Sequence, residues 1–168
     1  MKLASIDELF LHELQDLYSA EKQLLEALPK MAKTASSDEL QEAFQTHFVQ
    51  TQEHAHRLEK IFDDLELHAG RYKCKAMEGL IKEGAEILHA DGLDSVRDAA
   101  IIGAAQRVEH YEIAAYGTAR TFAEMLGHAE AAELLQQTLD EERATDELLS
   151  GLAVSTVNVE AQVDSELT

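Results

Sequence analysis

Almost nothing in this chain can stop a helix. One proline, Pro29, and eight glycines are spread over 168 residues. The positions between them are filled chiefly by Ala, Leu, Glu and Gln, residues that lose little on entering a helix. Val, Ile, Thr and aromatics are too sparse, and alternate too little, to supply a sheet. Apolar residues instead recur at helical intervals, the mark of helices with one buried face. With 45% hydrophobic residues, a chain of this length supports one domain with a sizeable core and leaves little room for a second.

The spacing predicts helix A over about 5–34, opened by a Ser5/Glu8 capping box and striped by Leu3, Ile6, Phe10, Leu14, Leu17, Leu24, Leu25 and Leu28. Pro29 is expected to kink its last turn. After the turn SSDE, helix B covers about 38–67 on Leu40, Phe44, Phe48, Thr51, Ala55, Leu58, Phe62 and Leu65. HAGRYK reads as a loop, and CKAMEGLIKEGAEILHA as a short helix closed near Asp91 and Gly92. Helix C starts at Asp94 or Ser95 and ends at Gly127, a natural C-cap, and helix D covers about 129–154. Two tight connections make two antiparallel hairpins, and a long crossover with its own helix joins them. The expected fold is all-α: a ferritin-like four-helix bundle with a short fifth helix in the crossover. The bundle is expected over 1–155, followed by a loose tail over 156–168 where the period is lost.

The formal charge of −19 argues against nucleic acid and anionic membranes, since no basic cluster is present to displace counterions from phosphates. A lone cysteine, Cys74, excludes an internal disulfide and reads as structural. The N-terminal MKLASIDELF lacks the apolar stretch of a signal peptide, and no long apolar run is present. A cytoplasmic protein is expected.

The acids are more informative by where they point. In LDEERATDELL, at 139–149, Glu142 falls in the middle of the stripe formed by Leu135, Thr138, Leu139 and Leu149. Asp146 lies about 40° from Glu142, also inside, whereas Glu141 and Glu147 point away. On helix C, Glu109 and Glu112 lie within the arc of Ile101, Ile102, Ala105, Tyr116, Ala119 and Ala123. On helix A, Glu21 sits between Leu17 and Leu24. In antiparallel hairpins, residues equidistant from the turn are level. Glu109 then matches Asp146, Glu112 matches Glu142 or Arg143, and Glu21 lies near Thr51.

Helix B offers Glu53-x-x-His56, the spacing that supplies ligands in di-iron bundles. Its phase is opposite the apolar stripe, so both residues should face water. His47 and His54 lie on the core side, with Gln50 at the margin. Gln50 and His54 share the i, i+4 spacing of Glu142 and Asp146 and fall on them under a shift of 92 residues, which also carries Glu21 to within one residue of Glu112. The candidate ligands are therefore Glu21, Gln50, His54, Glu109, Glu112, Glu142 and Asp146. His47 reads as a core histidine, and Tyr18, Tyr111 and Tyr116 as packing groups. His12, His68, His89, His110 and His128 read as surface residues.

Five buried carboxylates cannot all ionise unaided, because each costs several kcal/mol to desolvate and neighbouring like charges add to that. No lysine or arginine lies nearby on these stripes. A divalent cation pair resolves the conflict, and carboxylates with an imidazole suit iron or manganese, with zinc less distinctive. Glu21 and Glu142 are then terminal ligands, Glu109 or Glu112 bridges, and His54 supplies nitrogen.

DLYSAEKQLLEALPKM, KCKAMEGLIKEGAEI, VRDAAIIGAAQRVEHYEIAAYGT and TLDEERATDELL together resemble the bacterial YciE/YciF-type family of ferritin-like proteins. The likeness covers nearly all of the chain to about residue 160. It implies a five-helix monomer on a core similar to rubrerythrin, a homodimer, a dinuclear metal centre and a place in bacterial stress responses. The activity of that family is poorly defined. Two departures stand out. The resemblance implies glutamate in many relatives where this chain has Gln50, whose neutral carbonyl is a weaker ligand. Asp146 stands where a di-iron motif would have histidine. Metal binding with oxygen or peroxide chemistry, metal handling without turnover, and a metal-free structural homodimer are the functions to separate.

Overall fold

The computed structural model describes residues 4–167. Its helices are α1 (Ile6–Thr34), α2 (Asp38–Asp64), α3 (Lys75–Leu88), α4 (Asp94–Met125), α5 (Ala129–Leu152) and α6 (Asn158–Glu166), with a π-helical turn, Ala153–Val157, between the last two. No strand occurs among the described residues. Helices α1 and α2 form one antiparallel hairpin and α4 and α5 the other; α2 packs on α5 and α1 on α4. The expected bundle is thus present, with α3 in the crossover lying across α1 and α4. No helix of the described residues is long and apolar enough to cross a membrane.

The helix boundaries follow local chemistry. Ser5 Oγ accepts from Glu8 N at 3.1 Å, and the Glu8 carboxylate reaches back to Ala4 N at 2.7 Å, a capping box displaced by one residue. Leu3 lies outside the described residues. Helix α1 continues through an exposed Pro29 to Thr34. Helix α2 stops at Asp64, earlier than the apolar pattern suggests. There Glu66 turns to φ 53 and Leu67 N bonds Phe62 O at 2.8 Å, the reversal that ends many helices. Gly127 makes the matching reversal after α4 at φ 79, with His128 N on Ala123 O at 2.9 Å.

The turn between α1 and α2 is gripped from α4. Asp98, 2% exposed, accepts Ser36 N at 3.0 Å, Ser37 N at 2.7 Å and Ser36 Oγ at 2.6 Å. A buried carboxylate is tolerable here because three donors solvate it.

The chain end differs from the expected loose tail over 156–168. Val157 is buried, α6 packs along α4, and Ser95 Oγ donates to Asp164 Oδ2 at 2.7 Å. In a regular α-helix Val157 would fall about 80° from Leu149. The wider π turn winds less per residue and returns it to the side of Leu149. Periodicity read at a constant 3.6 residues per turn loses the helix at that turn.

The core is two apolar clusters. One holds Leu24, Leu28, Leu40, Phe44, Met77, Ile101, Ile102 and Leu149; the other holds Phe10, Leu14, Leu17, Leu58, Ile61, Phe62, Leu135 and Leu139. Each buried leucine or phenylalanine contributes roughly 1.5–3 kcal/mol. Between the clusters, residues from all four long helices form a buried polar layer.

Candidate metal centre

Every long helix sends an ionisable residue into this layer. Glu21 comes from α1, His47 and His54 from α2, Glu109 and Glu112 from α4, and Glu142 from α5; all are at most 2% exposed. They replace leucines in otherwise apolar stripes, so packing of the flanking residues forces them inward.

They divide into two groups sharing Glu142. In each, one donor atom per residue lies within 4.8 Å of the others: Glu21, His54 and Glu142 in one, His47, Glu109, Glu112 and Glu142 in the other. In the first, His54 Nδ1 is 2.9 Å from Glu142 Oε1 and 3.4 Å from Glu21 Oε1. In the second, His47 Nε2 is 3.4 Å from Glu109 Oε1 and 3.7 Å from Glu142 Oε2. The two oxygens of Glu142 thus face the two histidines. The sequence reading made Glu142 terminal and gave the bridging role to Glu109 or Glu112; the geometry puts Glu142 in common.

The imidazoles differ in what stands behind them. His47 Nδ1 faces neutral oxygens, Gln50 Oε1 at 3.4 Å and Thr145 Oγ1 at 3.3 Å. His54 Nε2 lies 2.8 Å from Glu141 Oε2, and that carboxylate is clamped by Arg57 at 2.7 and 2.9 Å. Tyr116 OH donates to Glu21 Oε1.

Much of the layer has no hydrogen-bond partner. His47 Nε2, His54 Nδ1, Glu21 Oε2, Glu109 Oε2 and both oxygens of Glu112 and of Glu142 are buried and make no well-formed hydrogen bond, although the two histidine nitrogens lie within ion-pair distance of Glu142. Buried polar atoms are normally satisfied, so eight such atoms converging on one layer fit a shared cationic partner. The donor set, carboxylate oxygens with two imidazole nitrogens, is that of iron, manganese or zinc. Burial pushes the carboxyls of Glu21, Glu112 and Glu142 above the usual carboxylate range, Glu112 most, with Glu142, Glu21 and Glu109 adding to it. Burial opposes the charging of both histidines, yet Glu109 and Glu142 lift His47 to about 9. Glu142 and Glu21 lift His54 to about 11. Without a cation the layer therefore holds imidazolium charges and extra protons.

Of the candidate ligands, Glu21, His54, Glu109, Glu112 and Glu142 come together. Asp146 does not: it is half-buried, accepts Gln106 Nε2 at 3.0 Å and meets His110 Nε2 at 3.1 Å at the α4–α5 edge. Its 40° offset (approximate, from helix geometry) and shorter side chain keep it from the centre. Gln50 stands behind His47, outside the acid cluster. His47, read as a core histidine, joins the layer instead; its i, i+7 spacing from His54 on one face was the available signal. Glu53 and His56 are exposed, 64% and 69% by side chain, as their phase requires. Glu141, taken as pointing away, reaches back to His54. Besides a cation, the two histidines lie close enough to the carboxylates to balance part of their charge when protonated.

Comparison with known proteins gives a consistent picture. A family model described as "Domain of unknown function (DUF892)" matches residues 5–162. Protein YciF of Escherichia coli K12 is 47% identical over 163 residues, 96% of this chain and 98% of YciF. The crystal structure of the E. coli stress protein YciF superposes with a TM-score of 0.90 at 48% identity, covering 93% of this chain and 99% of that one. YcfI of Rhodopseudomonas palustris gives 0.85 at 40% identity, covering 89% and 95%.

Proposed function

Because the chain belongs to the DUF892 family and is similar over nearly its whole length to the stress protein YciF, we propose that it is a ferritin-like non-haem metal protein of the bacterial stress response. In this reading it is a cytoplasmic homodimer that holds two divalent cations, iron or, as alternatives, manganese or zinc. Glu21, His54 and Glu142 would hold one ion, and His47, Glu109, Glu112 and Glu142 the other. The observation that carries it is the set of buried donor atoms left without hydrogen-bond partners.

Bound iron or manganese would supply Lewis acidity and redox capacity toward oxygen or peroxide. The chain's own part is to bind and orient. The apolar clusters on either side exclude water, which strengthens every charge interaction in the layer. Tyr116 donates to Glu21 Oε1, the oxygen beside His54, and so holds the Glu21 carboxylate in place while Oε2 keeps no hydrogen-bond partner. Binding also moves protons, because imidazole and carboxyl ligands act deprotonated. Protons held by His47, His54 and Glu112 must leave as cations enter.

Elemental analysis of protein purified aerobically, followed by Fe(II) titration with thermal melting, tests the reading. Bound Fe, Mn or Zn, or a rise in melting temperature, is expected; washed protein with no metal and an unmoved melting curve would overturn it. Peroxide consumption by the loaded protein then separates redox chemistry from metal handling. A metal-free structural role is the second reading. It is favoured by one observation: His47 and His54 stand within 2.9–3.7 Å of the buried carboxylates, where their protonation would offset part of the charge without any cation.

A further inference from the structure

Glu141 and Arg57 lie outside both donor groups, yet they form a short two-contact ion pair directly beside one of them. Arg57 Nη1 meets Glu141 Oε2 at 2.7 Å and Arg57 Nη2 meets Glu141 Oε1 at 2.9 Å, a two-pronged clamp that fixes the carboxylate plane. Arg57 Nη1 also donates to Thr138 Oγ1 at 3.1 Å. Arg57 follows His54 by three residues on α2, and Thr138 precedes Glu141 by three on α5. The clamp therefore ties together one turn from each of the helices that carry His54 and Glu142.

Its target is one nitrogen. Glu141 Oε2 stands 2.8 Å from His54 Nε2, while His54 Nδ1, on the opposite side of the ring, faces Glu21 and Glu142. An imidazole whose Nε2–H is committed to a carboxylate can offer a lone pair only from Nδ1. It is also held at a single ring angle. A hydrogen-bonded partner of this kind raises the basicity of a ligating histidine and fixes its tautomer. His47 has no such device, since neutral Gln50 and Thr145 face its outer nitrogen.

We propose that Glu141, clamped by Arg57, is a positioning residue that locks His54 with Nδ1 turned into the Glu21–Glu142 half of the centre. Its effect on cation affinity rests on the metal-binding reading; its effect on the ring does not. Glu141 is one-third exposed and Arg57 less so, so substitutions there remove the clamp without opening the core. The test uses the full chain with ¹⁵N-labelled histidine, as wild type, Glu141→Ala, Glu141→Gln and Arg57→Gln, with Zn(II) as the probe. In metal-free wild type, the His54 Nε2–H cross-peak should exchange slowly with water. Glu141→Ala should abolish it, Arg57→Gln should weaken it, and Glu141→Gln should partly restore it through the amide oxygen. In competition with a chelator, Glu141→Ala should weaken one of two Zn(II) sites by about 10–100-fold and leave the other within about twofold. A cross-peak unchanged in Glu141→Ala overturns the proposal whether or not Zn(II) binds. If wild type takes up no Zn(II), the metal reading fails by itself, and a cross-peak lost in Glu141→Ala still upholds the positioning role.

Discussion

The two halves of the buried layer share Glu142 but solve the same problem differently. Around His54 there is one acid besides the shared one, Glu21, and a charged clamp stands behind the ring. Around His47 there are two further acids, Glu109 and Glu112, and only neutral oxygens behind the ring. One half gains its order from outside, and the other concentrates charge inside. Acid density and rigidity are thus separable in a carboxylate–imidazole layer, and two antiparallel hairpins can present two unlike donor groups.

The largest effect should come from removing what the halves share. Glu142→Ala should lower cation affinity at both by more than about 100-fold, since a direct donor matters more than a hydrogen-bonded partner behind it. Loss confined to one half, seen by calorimetric Zn(II) titration, would break the comparison. Tyr116→Phe is selective, because its hydroxyl serves Glu21 alone in the layer. Deleting a buried hydrogen bond to a charged group should cost about 2 kcal/mol, read as a lower denaturation midpoint of the metal-free protein. Gln50→Glu would give His47 the kind of backing that His54 has. Affinity of that half should rise about tenfold, and a change at the His54 half instead would contradict the assignment.

Per unit step the smallest effect is with pH, and it distinguishes the two rings. Both histidines bind protons more tightly folded than unfolded, as burial is outweighed by carboxylates. Their stabilisation of the metal-free protein is full below about pH 6.5 and fades as pH rises. The His47 share should be gone near 9, the His54 share only near 11. Ionisation of Glu112, raised by burial, acts in the same direction. Stability should therefore fall by on the order of 1 kcal/mol per pH unit above neutrality. Melting curves of chelator-stripped protein that rise with pH would contradict this. Cation affinity should move the opposite way, strengthening with pH as protons cease to compete.

Helical phase made most of this layer legible. Glu21, Glu109, Glu112 and Glu142 each interrupt a leucine or alanine stripe, and an interruption in the middle of a stripe has nowhere to go but inward. Phase also separated His54 from the exposed Glu53 and His56 pair. It was blind at margins. Asp146 and Glu141 flank Glu142 along one helix, and which of them reaches the layer depends on reach and on Arg57, a partner from another helix. His47 was discounted because one histidine on an apolar face carries little information, and its significance came only from the acids of α4 opposite it. The end of the chain was lost at the π turn, where the period itself changes.

The grip of Asp98 on the first turn bears on how the molecule is assembled. The amides of Ser36 and Ser37 are satisfied by a residue more than sixty positions later, on the opposite hairpin. An α1–α2 fragment made alone would leave those amides to water, its bend unset until α4 arrives. The first hairpin therefore has its turn completed by the second, and the interior that could house the ions closes only when both have docked.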